Sequence, residues 1–275
     1  MIPRGSIWPP TAALIAGVLL GSGCGRTAAP DPPPVPLPQA HAHNDYAHAR
    51  PLLDALDQGF CSVEADVHLV DGRLLVAHSR AFTRPERTLE TLYLDPLRAR
   101  VRAHGGRVYR QGPEFFLLID FKTPAAPTWE ALRGVLSVYG DILTTFRTHR
   151  IETNAVTIIL SGNAPRAQLA AEPVRHAAVD GRLPDLEGTA SAGSIPWVSA
   201  SWSEVFTWRG RDAFPPAEAQ RLRELVARAH AQGRKIRFWG GPDTPALWKE
   251  QHAAGVDLIN TDRLAELRKF LSVHR

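Results

Sequence analysis

Ser62-Val63-Glu64-Ala65-Asp66-Val67-His68-Leu69-Val70, then Asp71-Gly72, then Arg73-Leu74-Leu75-Val76, is the stretch whose reading decides the fold. Its first part reads as a strand. Side chains alternate across a strand, so Glu64 and Asp66 share one face while Val63, Ala65 and Val67 take the other. Asp71-Gly72 between two apolar runs reads as a tight hairpin turn that extends this strand.

Similar short apolar runs lie outward from it. Ala40 to Asn44 precedes it, and Phe115 to Lys122, Ala155 to Ser161, His176 to Asp180, Trp197 to Trp202, Lys235 to Trp239 and Asp257 to Thr261 follow. Amphipathic helical stretches alternate with them: Pro51 to Gln58, Leu89 to Ala103, Thr128 to Leu143, Pro216 to Ala231 and Pro245 to Ala253. Gly59, Gly105, Gly233 and Gly255 follow four of these, where a helix would stop. Strand and helix alternating in this way predict an α/β fold, a (β/α)8 TIM barrel whose chemistry gathers at the carboxyl ends of its strands. An open doubly wound sheet is the rival architecture. Asp180 to Gly193 reads as a long loop over the mouth.

The chain has 275 residues, 44% hydrophobic, which suits one large core. Its 32 basic and 28 acidic residues are too evenly mixed to imply nucleic-acid binding, although a pI near 9.4 suits weak attraction to anionic surfaces. Arg4, the apolar stretch Ala12 to Leu20 and the small residues after it read as a secretory signal over residues 1–23, because so short a stretch falls well below the roughly 20 residues a membrane span needs. Cys24 after Gly21-Ser22-Gly23 resembles a bacterial lipoprotein acylation site, with Gly21 where leucine is usual. Lipid anchoring and simple cleavage are both open, and either places the protein in the periplasm or cell envelope. Residues 24–39, rich in proline, read as an extended tether, and the domain is expected from Ala40 to the end. Cys61 reads as a buried core residue.

Glu64 and Asp66 facing into a barrel without a cation would repel each other and lose hydration. Mg²⁺ or Ca²⁺ would resolve that conflict. Asp120-Phe121-Lys122 at the end of the third run brings a third carboxylate and a fixed cation to the same mouth. An internal salt-bridge network is the alternative reading of these four groups. His43 ends the first run and His78 follows the hairpin, so both overhang the carboxylates. Two imidazoles beside a metal suit phosphodiester cleavage, one removing a proton from the attacking oxygen and the other protonating the leaving oxygen.

The ordered set His43-Asn44, Glu64-x-Asp66, His78, Asp120-x-Lys122, Trp239 and Asn260-Thr261-Asp262 resembles the glycerophosphodiester phosphodiesterase and phosphatidylinositol phospholipase C superfamily. The resemblance implies a barrel, a divalent metal held by Glu64, Asp66 and Asp120, His43 and His78 as acid and base, and Lys122 on phosphate. Its substrate would be a glycerophosphodiester or a phospholipid headgroup. Asn44 stands where glycerophosphodiesterases usually carry arginine, as in eukaryotic-type phosphoinositide phospholipases, where that asparagine helps hold calcium. Asp120 replaces a common glutamate, and Asp-x-Lys is similar to the sphingomyelinase D branch. His43-Asn44-Asp45-Tyr46 with Arg50-Pro51-Leu52 resembles an uncharacterised branch that includes a yeast protein named for altered inheritance of mitochondria.

Smaller expectations attach to other residues. Trp239 either walls the substrate site or packs as an ordinary barrel residue, and Asp180 with Arg182 either contacts a headgroup or, with Gly181, forms a turn. Ser199 and Ser201 share a face as polar lining. Asp262 caps the last helix, starting near Leu264. His41, His48, His68 and His104 are solvated or support the site from behind. Two rival functions remain: an amidohydrolase-type metal site opening on His41-Ala42-His43, and a tethered binding module for phosphorylated headgroups.

Overall fold

The computed structural model describes Met1 and residues 33–274. The apolar stretch Ala12 to Leu20 and Cys24 lie outside the described residues. Residues from Pro33 onward form one compact unit.

Eight parallel strands close into a barrel: β1 (Leu37–Ala42), β2 (Phe60–Val70), β3 (Phe115–Phe121), β4 (Val156–Gly162), β5 (Ala177–Gly181), β6 (Trp197–Ser201), β7 (Lys235–Trp239) and β8 (Leu258–Thr261). Each pairs with its sequence neighbour, and β8 returns to β1 through Ala40 opposite Ile259. Closure rules out the open sheet. It also leaves no unpaired edge in the barrel. All eight expected runs are strands. β1, however, begins at Leu37, whose amide donates to Gly59 O at 2.7 Å, so the folded unit starts before Ala40 and takes in the end of the proline-rich tract.

The hairpin strand Arg73–Val76 pairs antiparallel with the end of β2, and Asp71 and Gly72 both take positive φ (48° and 75°), the geometry of the expected turn. Helices Pro216–Ala231 and Pro245–Ala254 match their expected spans closely. The stretch expected as one helix from Leu89 is a widened π turn, Glu90–Leu94, running into an α-helix, Asp95–Ala103. Pro96 at the junction has no N–H to donate, which accounts for the break in the regular ladder. A small antiparallel sheet, Thr145–Arg147, Arg150–Glu152 and Val174–Arg175, was not expected.

Side chains divide as strand alternation requires. Val63, Ala65, Val67, Leu117, Ile119, Ile158 and Leu160 pack outward in the main core with helix residues such as Leu97, Trp129 and Leu132. Phe116, Leu118, Ile159, Ala178, Trp197 and Leu258 plug the lower barrel. Above this apolar layer the interior turns polar. His41, Ser62, Glu64, Asp180, Ser199 and Arg237 are all buried. Such groups are tolerated inside only when paired, and the bonds described below pair them.

Candidate active site

β2 and β3 pair with Asp66 opposite Asp120, and Glu64 lies two residues deeper on β2. One carboxylate oxygen from each of the three lies within 4.8 Å of the others, the convergence expected from spacing. Asp66 Oδ1 is buried without a hydrogen-bond partner. The bonds of Glu64 all fall on Oε2, which receives Arg237 Nη1 at 3.0 Å and faces His41 Nε2 at 3.4 Å. Gly162 on β4 leaves room for Asp120: its φ is +63°, and a Cβ there would lie 2.1 Å from Asp120 Oδ1. Three converging carboxylates, one of which carries an orphaned oxygen, fit a hard divalent cation such as Mg²⁺ or Ca²⁺.

The electrostatics point the same way. Burial opposes ionisation of Glu64, but the His41 hydrogen bond and the Arg237 charge prevail and hold its carboxyl well below the usual range. Asp66 is pushed up, first by burial and then by the Glu64 charge, against Lys122 and Tyr46. Burial also raises Asp120, with Lys122 opposing. Two carboxylates therefore resist ionising beside a third, a conflict that a bound cation relieves. Lys122 Nζ stands between them, 3.1 Å from Asp66 Oδ2 and 3.4 Å from Asp120 Oδ1.

His43 lies one residue past β1, its amide bonded to Thr261 O at 3.1 Å. Its Nδ1 meets Asp262 Oδ1 at 2.9 Å. Burial lowers its pKa, yet the Asp262 bond and the Glu64 charge outweigh burial and raise it overall. Asp262 is thus a partner of His43 and makes no cap bond to the helix Leu264–Val273, contrary to expectation. Asn44 takes a left-handed conformation (φ 48°) and turns the chain so that Tyr46 folds back under the site. The Tyr46 hydroxyl lies 2.8 Å from Asp66 Oδ2, 2.6 Å from Asn44 Oδ1 and 3.1 Å from His78 Nδ1.

His43, Asn44, Glu64, Asp66, His78, Asp120, Lys122 and Trp239 line one cleft of about 550 Å³ at the mouth. Asp180 does not reach it. Its carboxylate is buried, accepting Ser161 Oγ at 2.8 Å, Ser199 Oγ at 2.6 Å and Arg182 Nη1 at 2.8 Å. The headgroup contact expected of Asp180 is therefore corrected to a buried anchor, and Arg182 is the residue that lines the cleft. Ser199 is likewise interior, bonded by Arg237 Nε at 3.0 Å, and neither it nor Ser201 lines the cleft. Ala192 and Gly193 line a second cleft of about 530 Å³ with Phe116 and Trp197, so the segment after Asp180 descends to the opposite end of the barrel instead of covering the mouth. His41, His68 and His104 all bond to the protein, to Glu64, Ala77 O and Val108 O.

Two contributors were not singled out in the sequence. Arg237 shares the inward face of β7 with Trp239, so alternation on Lys235-Ile236-Arg237-Phe238-Trp239 contained the signal. Tyr46 enters the sequence reading only within the resemblance carried by His43-Asn44-Asp45-Tyr46, with no role of its own, because its placement depends on the turn at Asn44.

The first part of the chain matches a family model. Residues 34–179 fit the AIM6-like phosphodiesterase domain. The chain belongs to that family. A second model, of the glycerophosphoryl diester phosphodiesterase family, matches residues 235–265. Among similar proteins, altered inheritance of mitochondria protein 6 of Eremothecium gossypii is 30% identical over 263 residues, covering 82% of this chain and 68% of that one. An Arthroderma benhamiae homologue is 29% identical over 232 residues, covering 76% and 74%. A glycerophosphodiester phosphodiesterase from Parabacteroides distasonis superposes with a TM-score of 0.52 at 14% identity, covering 86% of this chain and 98% of that chain, a likeness of fold. In this AIM6-like domain His41 lies buried behind Glu64, bonded to Ser62 Oγ at 2.7 Å, instead of beside His43 in the cleft. That placement disfavours an amidohydrolase-type His-x-His site.

Proposed function

We propose that this AIM6-like domain is a metal-dependent phosphoric diester hydrolase acting on glycerophosphodiesters or phospholipid headgroups. The observation that carries the reading is the meeting of Glu64, Asp66 and Asp120 with His43 and His78 in one cleft. Glu64, Asp66 and Asp120 would hold Mg²⁺ or Ca²⁺, with Asn44 beside them. When bound, the ion would neutralise charge growing on the non-bridging phosphate oxygens.

The chain's own groups supply the rest. Lys122, fixed by Asp66 and Asp120, contributes a cation toward the phosphate. Ser161 lines the cleft but donates to Asp180, so the attacking oxygen comes from water or from the substrate. His43 and His78 divide the work of removing a proton from that oxygen and giving one to the leaving oxygen. A hydroxyl next to the phosphate is already positioned for in-line attack, which favours a cyclic phosphate product. Trp239, 38% exposed at the end of β7, offers an aromatic wall. An exported location, in the periplasm or the cell envelope, accords with the amino-terminal signal and tether read from the sequence.

Turnover of glycerophosphocholine, a diester with a hydroxyl next to the phosphate, beside the monoester glycerol 3-phosphate, each with added Mg²⁺ or Ca²⁺, tests the reading. The diester should be cleaved and the monoester spared. Equal cleavage of both, or of neither, would contradict it.

A further inference from the structure

The catalytic loop itself carries an unexplained surface. Residues 77–87 leave the barrel at the level of the acidic cluster, where Ala77 N bonds Asp66 O at 3.1 Å, and close on themselves through Val76 N to Arg87 O at 2.8 Å. His78 stands at the start of this closed loop and faces the cleft. Two residues on, a turn of 3-10 helix, Arg80–Phe82, buries none of its side chains, and Phe82 is 74% exposed.

The charges around Phe82 are uneven. The loop contains Arg80, Arg84, Arg87 and the single carboxylate of Glu86. Arg87 is committed, donating to Tyr46 O at 2.6 Å. Among the described residues neither Arg80 nor Arg84 forms an ion pair or a side-chain hydrogen bond, whereas the exposed Arg50 is held by Asp54 and Asp57. In sequence, this exposed apolar ring is flanked by two guanidinium groups that have no carboxylate partner. It suits an anionic lipid surface, where the ring enters the headgroup region and the cations meet lipid phosphate. Trp239 stands at the same mouth on β7.

We propose that the Arg80–Arg84 segment docks the mouth of the barrel on an anionic phospholipid bilayer, so that the substrate is taken from the membrane surface. The substrate clause rests on the phosphodiesterase reading; the docking does not. Docking and catalysis then share one loop, with His78 held at the bilayer by Phe82. Phe82, Arg80 and Arg84 lie outside the cleft, so their replacement leaves its chemistry in place.

The test is co-sedimentation of the compact unit from Pro33 onward with vesicles of phosphatidylcholine alone and with 30 mol% (about a third) phosphatidylglycerol. Binding should need the anionic lipid and weaken in salt. Phe82→Ser should weaken it about tenfold, and Arg80→Ala with Arg84→Ala about 25-fold, near fivefold for each charge. Turnover of a soluble diester should be unchanged in these variants. Equal binding to both vesicle types, or variants that bind like the parent, would overturn docking while leaving the hydrolase standing. Absence of binding by the parent would also overturn it and would turn attention to an acidic protein face. Loss of binding in the variants of a chain that cleaves no diester would retain the docking surface and refute the hydrolase instead.

Discussion

Arg237 Nη1 lies 3.0 Å from Glu64 Oε2 inside the barrel, where both residues are buried. The same guanidinium reaches His41 Nε2 at 2.9 Å and Ser199 Oγ at 3.0 Å, with Asp180 Oδ2 at 3.8 Å. It is therefore the counter-charge for a carboxylate that also faces the acidic cluster. Removing one partner of a buried pair leaves the other charge uncompensated, which costs about 3–5 kcal/mol. Arg237→Met should lower the unfolding free energy by that amount in urea denaturation. A loss below about 1 kcal/mol would place the pair among those that contribute little.

Tyr46 ties Asp66 to His78 through one hydroxyl. If the proton goes to the carboxylate, His78 Nδ1–H donates to the phenol oxygen and Nε2 is the nitrogen left for the cleft. Tyr46→Phe removes this linkage with little change of shape. Activity should fall between about 10- and 100-fold, the range for a displaced catalytic group, with Tm close to that of the parent. Unchanged kcat would leave Tyr46 as packing alone.

Replacing His43 or His78 with Ala should lower turnover by about 10² or more, the scale of one general acid or base. Both side chains line the cleft outside the core, so folding by circular dichroism and cation binding by calorimetry should persist. Full turnover in either variant would remove that histidine from the reaction.

Two buried groups pull the pH dependence of stability in opposite directions. Burial lowers His41 to about 4, with the Glu64 bond opposing and the Arg237 charge adding. Between that value and 6.5 the unfolded chain binds a proton that the folded chain does not, so this contribution is lost as pH falls. Burial raises Asp45 to about 7 despite donors from Leu52 and Tyr93. Between 3.8 and that value the folded chain holds the extra proton, so this contribution is lost as pH rises. Asp45→Asn deletes the second effect. The slope of unfolding free energy between about pH 4.5 and 6.5 should become more positive, by up to about 1.4 kcal/mol per pH unit. An unchanged slope would mean that Asp45 ionises in the fold as it does in the unfolded chain.

The barrel was legible because each strand is a short apolar run with its own boundary, and because two-residue alternation fixes which side chains face inward. Glu64, Asp66 and Asp120 follow from that rule alone. Depth inside the barrel does not follow from it. Asp180 faces inward as alternation requires, but β5 pairs its end with the start of β6, Asp180 opposite Trp197, so the stagger between strands sets the carboxylate below the mouth. Asp262 has a side chain suited to capping, yet its position beside His43 depends on β1 and β8 being neighbours. The small antiparallel sheet has strands of two or three residues, too short to show a period.

The central claim is that diester hydrolysis depends on a divalent cation held by Glu64, Asp66 and Asp120. It is tested most directly by stripping the protein with a chelator and titrating Mg²⁺ or Ca²⁺ back while following glycerophosphocholine turnover, in the parent and in Asp66→Asn. The account predicts no turnover after stripping, saturable recovery in the parent, and recovery in the variant only at much higher cation concentration or not at all. Full turnover by the stripped parent, or identical titrations for parent and variant, would contradict it.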